Sequence, residues 1–195
     1  MTTPLTHTLQ DSGVPASARD FSVDERVVII TGAAQGIGRE LARQFAAAGA
    51  FVAVTDLDVD KAFSVVEEIE QAGGTALGVP VDVSDPDSVD AMVSRVVERW
   101  GRVDVLINNA SIFATLQKGP FDQIPLDQWN RVLGVNVTGP YLCARAVAPH
   151  MRKAGFGRIV NVSSDAVTRG TVNYLHSVPT KSAAIGLPTS LAHQP

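Results

Sequence analysis

The sequence predicts an α/β fold in which a doubly wound parallel sheet of about five to six strands carries helices on both faces. Three observations predict it. Short β-branched apolar runs alternate with longer amphipathic stretches, the pattern of successive strand–helix–strand units. A glycine cluster separates the first apolar run from the first helical stretch. The 195 residues, 45% apolar and 18% charged, supply enough chain for one sizeable core.

Residues 1–24, rich in Thr, Ser and Pro, read as a loose N-terminal arm. Val27–Thr31 (VVIIT) is a β-branched run that ends in glycines and reads as a buried strand. A helix over 36–48 follows and is stopped by Gly49. Phe51–Asp56 is the second strand, 59–72 a second helix ended by Gly73 and Gly74, and 76–81 the third strand. Asp85-Pro86 opens a third helix, because aspartate caps a helix start and proline is tolerated in its first turn. That helix runs to Trp100 and stops at Gly101. A fourth strand over 103–108, a loop with Pro120 and Pro125, a long helical region over 126–153, a fifth strand over 158–162 and a final helix over 174–191 complete the series. Right-handed crossovers make the dinucleotide-binding arrangement the leading topology. No linker interrupts the body, so residues 25–195 are expected to form one domain.

Composition narrows the function. The formal charge is −4 and no Lys/Arg cluster interrupts it, which argues against nucleic acid or an anionic membrane as partner. Cys143 is alone, so no intrachain disulfide can form and a reducing compartment fits; its apolar neighbours assign it to packing. His7, His150, His176 and His193 lie far apart and show no metal-ligand spacing, so no metal is expected. No apolar run approaches the roughly 20 residues of a membrane span, and the first two dozen residues lack the features of a signal or transit peptide. A cytoplasmic protein is expected.

The strongest chemical signal is Thr31-Gly32-Ala33-Ala34-Gln35-Gly36-Ile37-Gly38, placed between the first strand and the first helix. Glycines there let backbone amides approach a pyrophosphate, and the helix N-terminus adds a favourable dipole. A plain tight turn is the alternative reading of the glycines alone. Asp56 ends the second strand, 18 residues beyond Gly38. A carboxylate at that place accepts both hydroxyls of an adenine ribose and repels a 2′-phosphate, although a solvated loop acid would look the same. Gln35 is not basic. Both features favour NAD over NADP in a Rossmann-type domain.

The spacing TGxxxGxG resembles that of the short-chain dehydrogenase/reductase family, and further landmarks follow in the family's order over about residues 26–192. Asp82-Val83 falls where the family's acid sits beside the adenine. Asn108-Asn109-Ala110-Ser111 resembles the family's NNAG, with Ser111 in place of glycine. Asn136 falls at the catalytic-helix asparagine, Ser164 at the catalytic serine and Lys181 at the lysine. The resemblance implies hydride transfer between NAD(H) and a small alcohol or ketone. It implies cofactor contacts from Gly32, Gln35, Gly36, Ile37, Gly38, Asp56, Asp82, Val83, Asn109, Ala110 and Lys181. It also implies catalytic roles at Asn136, Ser164, Lys181 and the position of Ser177, and homo-oligomers that pair through the long helices, here roughly 126–153 and 174–191.

The resemblance breaks at Ser177. The family places a tyrosine four residues before the lysine, and here that position, 13 residues after Ser164, is serine. Serine does not ionise near neutral pH and reaches less far than a phenol, so it cannot simply serve as the base. Tyr174, seven residues before Lys181, is the nearby candidate replacement; a structural tyrosine at the helix entry is the other reading of it. Pro188 is expected inside the last helix at a cost of about 3 kcal/mol. The family normally continues with further strands beyond the position of Pro195, so a C-terminally short body with an exposed fifth strand, an incomplete substrate pocket and poor stability is expected. A catalytically inactive nucleotide-binding or interaction protein on the same fold is the competing reading. A methyltransferase also places glycines after strand one and an acid after strand two, but the Asn-Asn-Ala run and the Ser164 to Lys181 spacing argue against it.

Overall fold

In the computed structural model, which describes residues 22–113, 116 and 118–192, five strands form one wholly parallel sheet in the order β3-β2-β1-β4-β5. Most of the expected N-terminal arm, residues 1–21, lies outside the described residues. The strands are β1 (Val27–Thr31), β2 (Phe51–Asp56), β3 (Thr75–Pro80), β4 (Val105–Asn108) and β5 (Arg158–Asn161). Between them run α1 (Gly36–Ala47), α2 (Val59–Gln71) and α3 (Pro86–Trp100). After β4 come α4 (Leu126–Leu133), a π-helical turn at Gly134–Thr138 and α5 (Gly139–Ala154). Short α6 (Ala166–Arg169) and α7 (Val178–Leu191) follow β5.

All five residues of β1 are buried because it lies at the centre, paired with β2 on one side and β4 on the other. Successive side chains of a strand face opposite ways, and β1 divides its residues accordingly. Val27 and Ile29 join Val89, Met92, Val96 and Val147 in one core, under α3 and α5. Val28 and Ile30 join Ala42, Ala46, Val65 and Ile69 in the other, under α1 and α2. Helices therefore cover both faces, as a continuous β-branched central strand requires. Asp85 caps α3 by accepting from the Asp87 amide at 3.1 Å, Pro86 occupies the first turn, and Gly101 ends the helix at φ 75°. Cys143 is fully buried in the first core, and burial pushes its thiol up to about 12.

Several expected boundaries shift. The third, fourth and fifth strands differ at their ends by one or two residues, the ordinary scatter of element ends. The long helical region 126–153 is one rod interrupted by the π turn, which rotates the residues around Asn136 out of α-helical phase. The last helix begins at Val178, not at residue 174, because the amides of Ser177 and Val178 both close a turn on the Tyr174 carbonyl. α7 continues through Pro188. Asp104, just before β4, is fully buried; it accepts from the Val27 amide at 2.9 Å and from Arg26, and pairs with Arg102. Backbone bonds from Asp104 to Val27 and from Arg158 to Asp104 complete a clamp on the amino ends of β1, β4 and β5. Among the described residues β5 has no outer neighbour, and Val160 is 48% exposed. No helix among the described residues is long and apolar enough to cross a membrane.

Candidate functional site

At the carboxyl ends of β1, β2 and β4 lies a cleft of about 420 Å³. Gly32, Gln35, Gly36, Ile37, Asp56, Asp82, Val83, Asn109 and Ala110 all line it, so most of the cofactor residues expected from the sequence meet there. Leu57, Ser84, Ser111, Arg131 and Val135 also line it and were not among those expected.

Glycine is required at two points of the turn. Gly32 has φ 66°, and a Cβ there would lie 2.7 Å from the Ala110 Cα. A Cβ on Gly38 would strike the Gly32 carbonyl and come within 2.5 Å of the Asn109 amide nitrogen. Gly38 thus supports the turn from beneath and does not line the cleft. Asn109 donates from its amide to the carbonyls of Thr31 (3.0 Å) and Gly32 (2.9 Å). The backbone amides of Asn109 and Ala110 both donate to the Thr31 hydroxyl at 3.1 Å. The end of β4 is therefore riveted to the glycine turn. No acidic residue lies in the first turn of α1, so its unpaired amides and positive dipole end remain available to an anion.

Asp56 is held in place before any ligand arrives. One carboxylate oxygen accepts from the Ala34 amide and the other from the Asp58 amide, both at 3.0 Å. Asp82 is fixed through one oxygen, which accepts from the Ser84 amide at 2.9 Å and from its hydroxyl at 2.6 Å. The second Asp82 oxygen makes no hydrogen bond among the described residues. The Ser111 hydroxyl is buried in the cleft wall without a partner among them. A turn that leaves room only for backbone, an unopposed helix start, two pre-positioned carboxylates and an orphaned hydroxyl fit a dinucleotide.

The expected catalytic residues lie apart from this lining. Buried Asn136 accepts from the Ile112 amide at 2.8 Å and donates to the Thr180 hydroxyl at 3.1 Å. Thr180 in turn donates to the Ser177 carbonyl at 2.6 Å. Asn136 and Ser177 are thereby joined through Thr180, a residue that no sequence motif singled out. Ser177, 3% exposed, is the residue at the start of α7, where its backbone carries the first helical bonds. Ser164 is exposed, and its hydroxyl accepts from the amide of Ala166, the first residue of α6, at 3.2 Å. The Lys181 ammonium donates to the Val162 carbonyl at 2.9 Å, while the Ser163 hydroxyl donates to the Lys181 carbonyl at 2.8 Å. Burial pulls the Lys181 ammonium below the ordinary lysine range. Tyr174 is stacked on Phe113 with ring centroids 4.9 Å apart.

A family profile described as short chain dehydrogenase matches residues 26–195. An uncharacterized oxidoreductase of Mycobacterium tuberculosis is 48% identical over 143 residues, which are 73% of this chain and 58% of that protein. The 7alpha-hydroxysteroid dehydrogenase of Escherichia coli is 36% identical over 173 residues, 89% of this chain and 66% of that one. The D-threitol dehydrogenase of Mycolicibacterium smegmatis is 33% identical over 173 residues, 89% and 65% respectively. The chain thus spans between 58% and about two thirds of the length of these relatives. A crystal structure of a metagenomic short-chain oxidoreductase in complex with NADP superposes with a TM-score of 0.81 at 37% identity, covering 88% of this chain and 76% of that one.

Proposed function

The chain belongs to the short-chain dehydrogenase family, and from that premise we propose that it binds NAD(H) in the cleft beside β1 and exchanges hydride with an alcohol or ketone. The observation that carries this reading is Asp56, a carboxylate pinned by two backbone amides at the cleft wall. Held there, it accepts from ribose hydroxyls and opposes a 2′-phosphate. Arg131 is the one cationic residue lining the cleft among the described residues, and it comes from α4, not from the glycine turn. The amides at the start of α1 bind the pyrophosphate, and the free oxygen of Asp82 accepts from the adenine amino group. When bound, the nicotinamide supplies or takes the hydride.

The remaining chemistry belongs to side chains of the fifth-strand region. Ser164 orients the reacting oxygen with its exposed hydroxyl. Lys181 supplies positive charge from an ammonium fixed at the end of β5, and Asn136 keeps the Ile112 backbone and Thr180 in register. Ser177 lacks the phenol that would move the proton, which favours as a second reading a nucleotide-binding protein without turnover. Pairing of two copies through α5 and α7, on which Tyr141 and Ile185 are 47% and 53% exposed, belongs to the same proposal, as does a cytoplasmic setting.

Fluorescence titration with NADH and NADPH, followed by turnover with a panel of secondary alcohols, tests the proposal. NADH binding with turnover supports the enzyme, and NADH binding without turnover supports the second reading. No NADH binding overturns both.

A further inference from the structure

The chain carries four lysines, Lys61, Lys118, Lys153 and Lys181, and the fold puts three of them where positive charge is favoured. The exposed Lys61 ammonium pairs with the Asp58 carboxylate, which raises its pKa above the ordinary lysine value. Lys118 stands 5.2 Å from the centre of the Tyr174 ring, whose face attracts a cation. Lys153 is exposed in the last turn of α5, at the negative end of the helix dipole. Lys181 differs from all three. It is partly buried, makes no ion pair among the described residues, and gives its ammonium one acceptor there, the Val162 carbonyl at 2.9 Å. An ammonium has three donors, so one carbonyl is a poor exchange for the hydration lost, and burial lowers its pKa. The backbone keeps the amine in that place. The Lys181 amide donates to the Ser177 carbonyl at 3.2 Å, and the Lys181 carbonyl accepts from the Ser163 hydroxyl at 2.8 Å.

We propose that Lys181 is a covalent acylation site, which takes the acyl group directly from a small activated donor, an acyl phosphate or an acyl thioester. The ammonium first gives one proton to solvent. The Nζ lone pair then attacks the donor's carbonyl carbon, and an N–C bond forms. The bond from that carbon to the phosphate oxygen or the sulfur breaks, and the phosphate or thiolate leaves with the electron pair. The nitrogen sheds its second proton to solvent, and nothing is oxidised or reduced. Lys61, Lys118 and Lys153 are held in the charged form, which has no lone pair to offer, whereas Lys181 is not. The product also suits the fold. A secondary amide retains one N–H for the Val162 carbonyl and removes the partly buried charge. One consequence rests on the oxidoreductase reading above: acylation takes away the positive charge that Lys181 supplies at the end of β5, and so switches that site off.

The test incubates the full chain at neutral pH with acetyl phosphate and, separately, with acetyl-coenzyme A. Peptide mass spectrometry follows the acetyl gained at each of the four lysines over time. Each unit by which an ammonium's pKa falls gives about tenfold more free amine, so Lys181 should be acetylated about tenfold faster than the other three. Selectivity with one donor and not the other identifies the source; selectivity with neither overturns the proposal. In urea the four lysines should react at similar rates, because the preference comes from the fold. A preference for Lys181 that persists in urea overturns that cause. The chain acetylated at Lys181 should keep or raise its melting temperature, and a marked fall would show that the fold rejects the adduct. No NADH enters these measurements, so they stand or fall apart from the oxidoreductase reading. Failure of NADH to bind the parent strikes that reading and the switch alone, and unselective acetylation strikes the acylation site alone.

Discussion

Replacing Asp56 with alanine should change which cofactor the cleft prefers. The carboxylate is already oriented by the Ala34 and Asp58 amides, each at 3.0 Å, so a ribose gains its acceptor without first ordering a side chain. A hydrogen bond to a charged group contributes about 1.5–3 kcal/mol, and two ribose hydroxyls can donate. Asp56 is only partly buried, and solvent competes with both bonds, so a combined loss near about 1.5–3 kcal/mol is expected. That corresponds to a rise of about 10- to 150-fold in the Kd for NADH. NADPH should bind the variant better than it binds the parent, since the like charge facing its 2′-phosphate is gone. Paired fluorescence titrations of parent, Asp56→Ala and Asp56→Asn measure the ratio of the two constants. The asparagine variant keeps the shape and removes the charge, so it should fall between the other two. A parent that binds NADPH as tightly as NADH, or an alanine variant that weakens both by one factor, would refute the reasoning. In that second case Asp56 acts only by bracing the glycine turn.

Three further outcomes follow from the geometry. Ser177→Tyr should raise turnover by about 10²–10⁴-fold in an alcohol oxidation assay, and Lys181→Ala should abolish the gain. Because Ser177 is 3% exposed, the added ring should also lower the melting temperature, at a cost of about 1–3 kcal/mol. If Tyr174 moves the proton instead, the parent turns over and Tyr174→Phe silences it. Lys181 titrates below its ordinary value of 10.5 because burial disfavours the ammonium. The unfolded chain therefore binds a proton more readily between the lowered value and 10.5, and the group destabilises the fold as pH falls through that window. Lys181→Met should accordingly keep or raise the melting temperature at neutral pH, with the difference from the parent vanishing above about 10.5, the unperturbed value. Asp104→Ala should lower unfolding free energy in urea by about 2–4 kcal/mol, since it orphans the buried Val27 amide and strips Arg26 and Arg102 of their shared partner. An effect under about 0.5 kcal/mol, the usual range of a surface change, would show that the clamp on the strand ends contributes little.

Much of the lining of the cleft at the carboxyl ends of β1, β2 and β4 was legible residue by residue. The strand periodicity located β1 and β2 to the residue, and a glycine turn between a strand and a helix has few uses. Nine of the residues expected at the cofactor line one cleft, among them Asp56 and Asp82. Ser84 escaped notice because a serine two residues past an aspartate carries no signal until its hydroxyl is seen on that carboxylate. Thr180 escaped for a related reason: its partners, Asn136 and Ser177, stand 44 and 3 residues away and meet only when α7 packs on the π turn. The start of α7 was misplaced because Tyr174, Leu175 and His176 continue an apolar rhythm, whereas the backbone closes a turn there first.

What the sequence by itself determined is therefore local in origin: strand and helix order, the glycine turn, the acid after β2 and the serine where a tyrosine is expected. Each depends on residues close together in the chain, through backbone sterics and side-chain periodicity. Tertiary structure alone decided where the Lys181 ammonium is bound, how Asp104 ties three strand ends together, and that Thr180 joins Asn136 to the Ser177 carbonyl. Those features arise between segments distant in sequence, and their strength comes from burial and hydrogen-bond geometry that exist only once the sheet has brought the segments together.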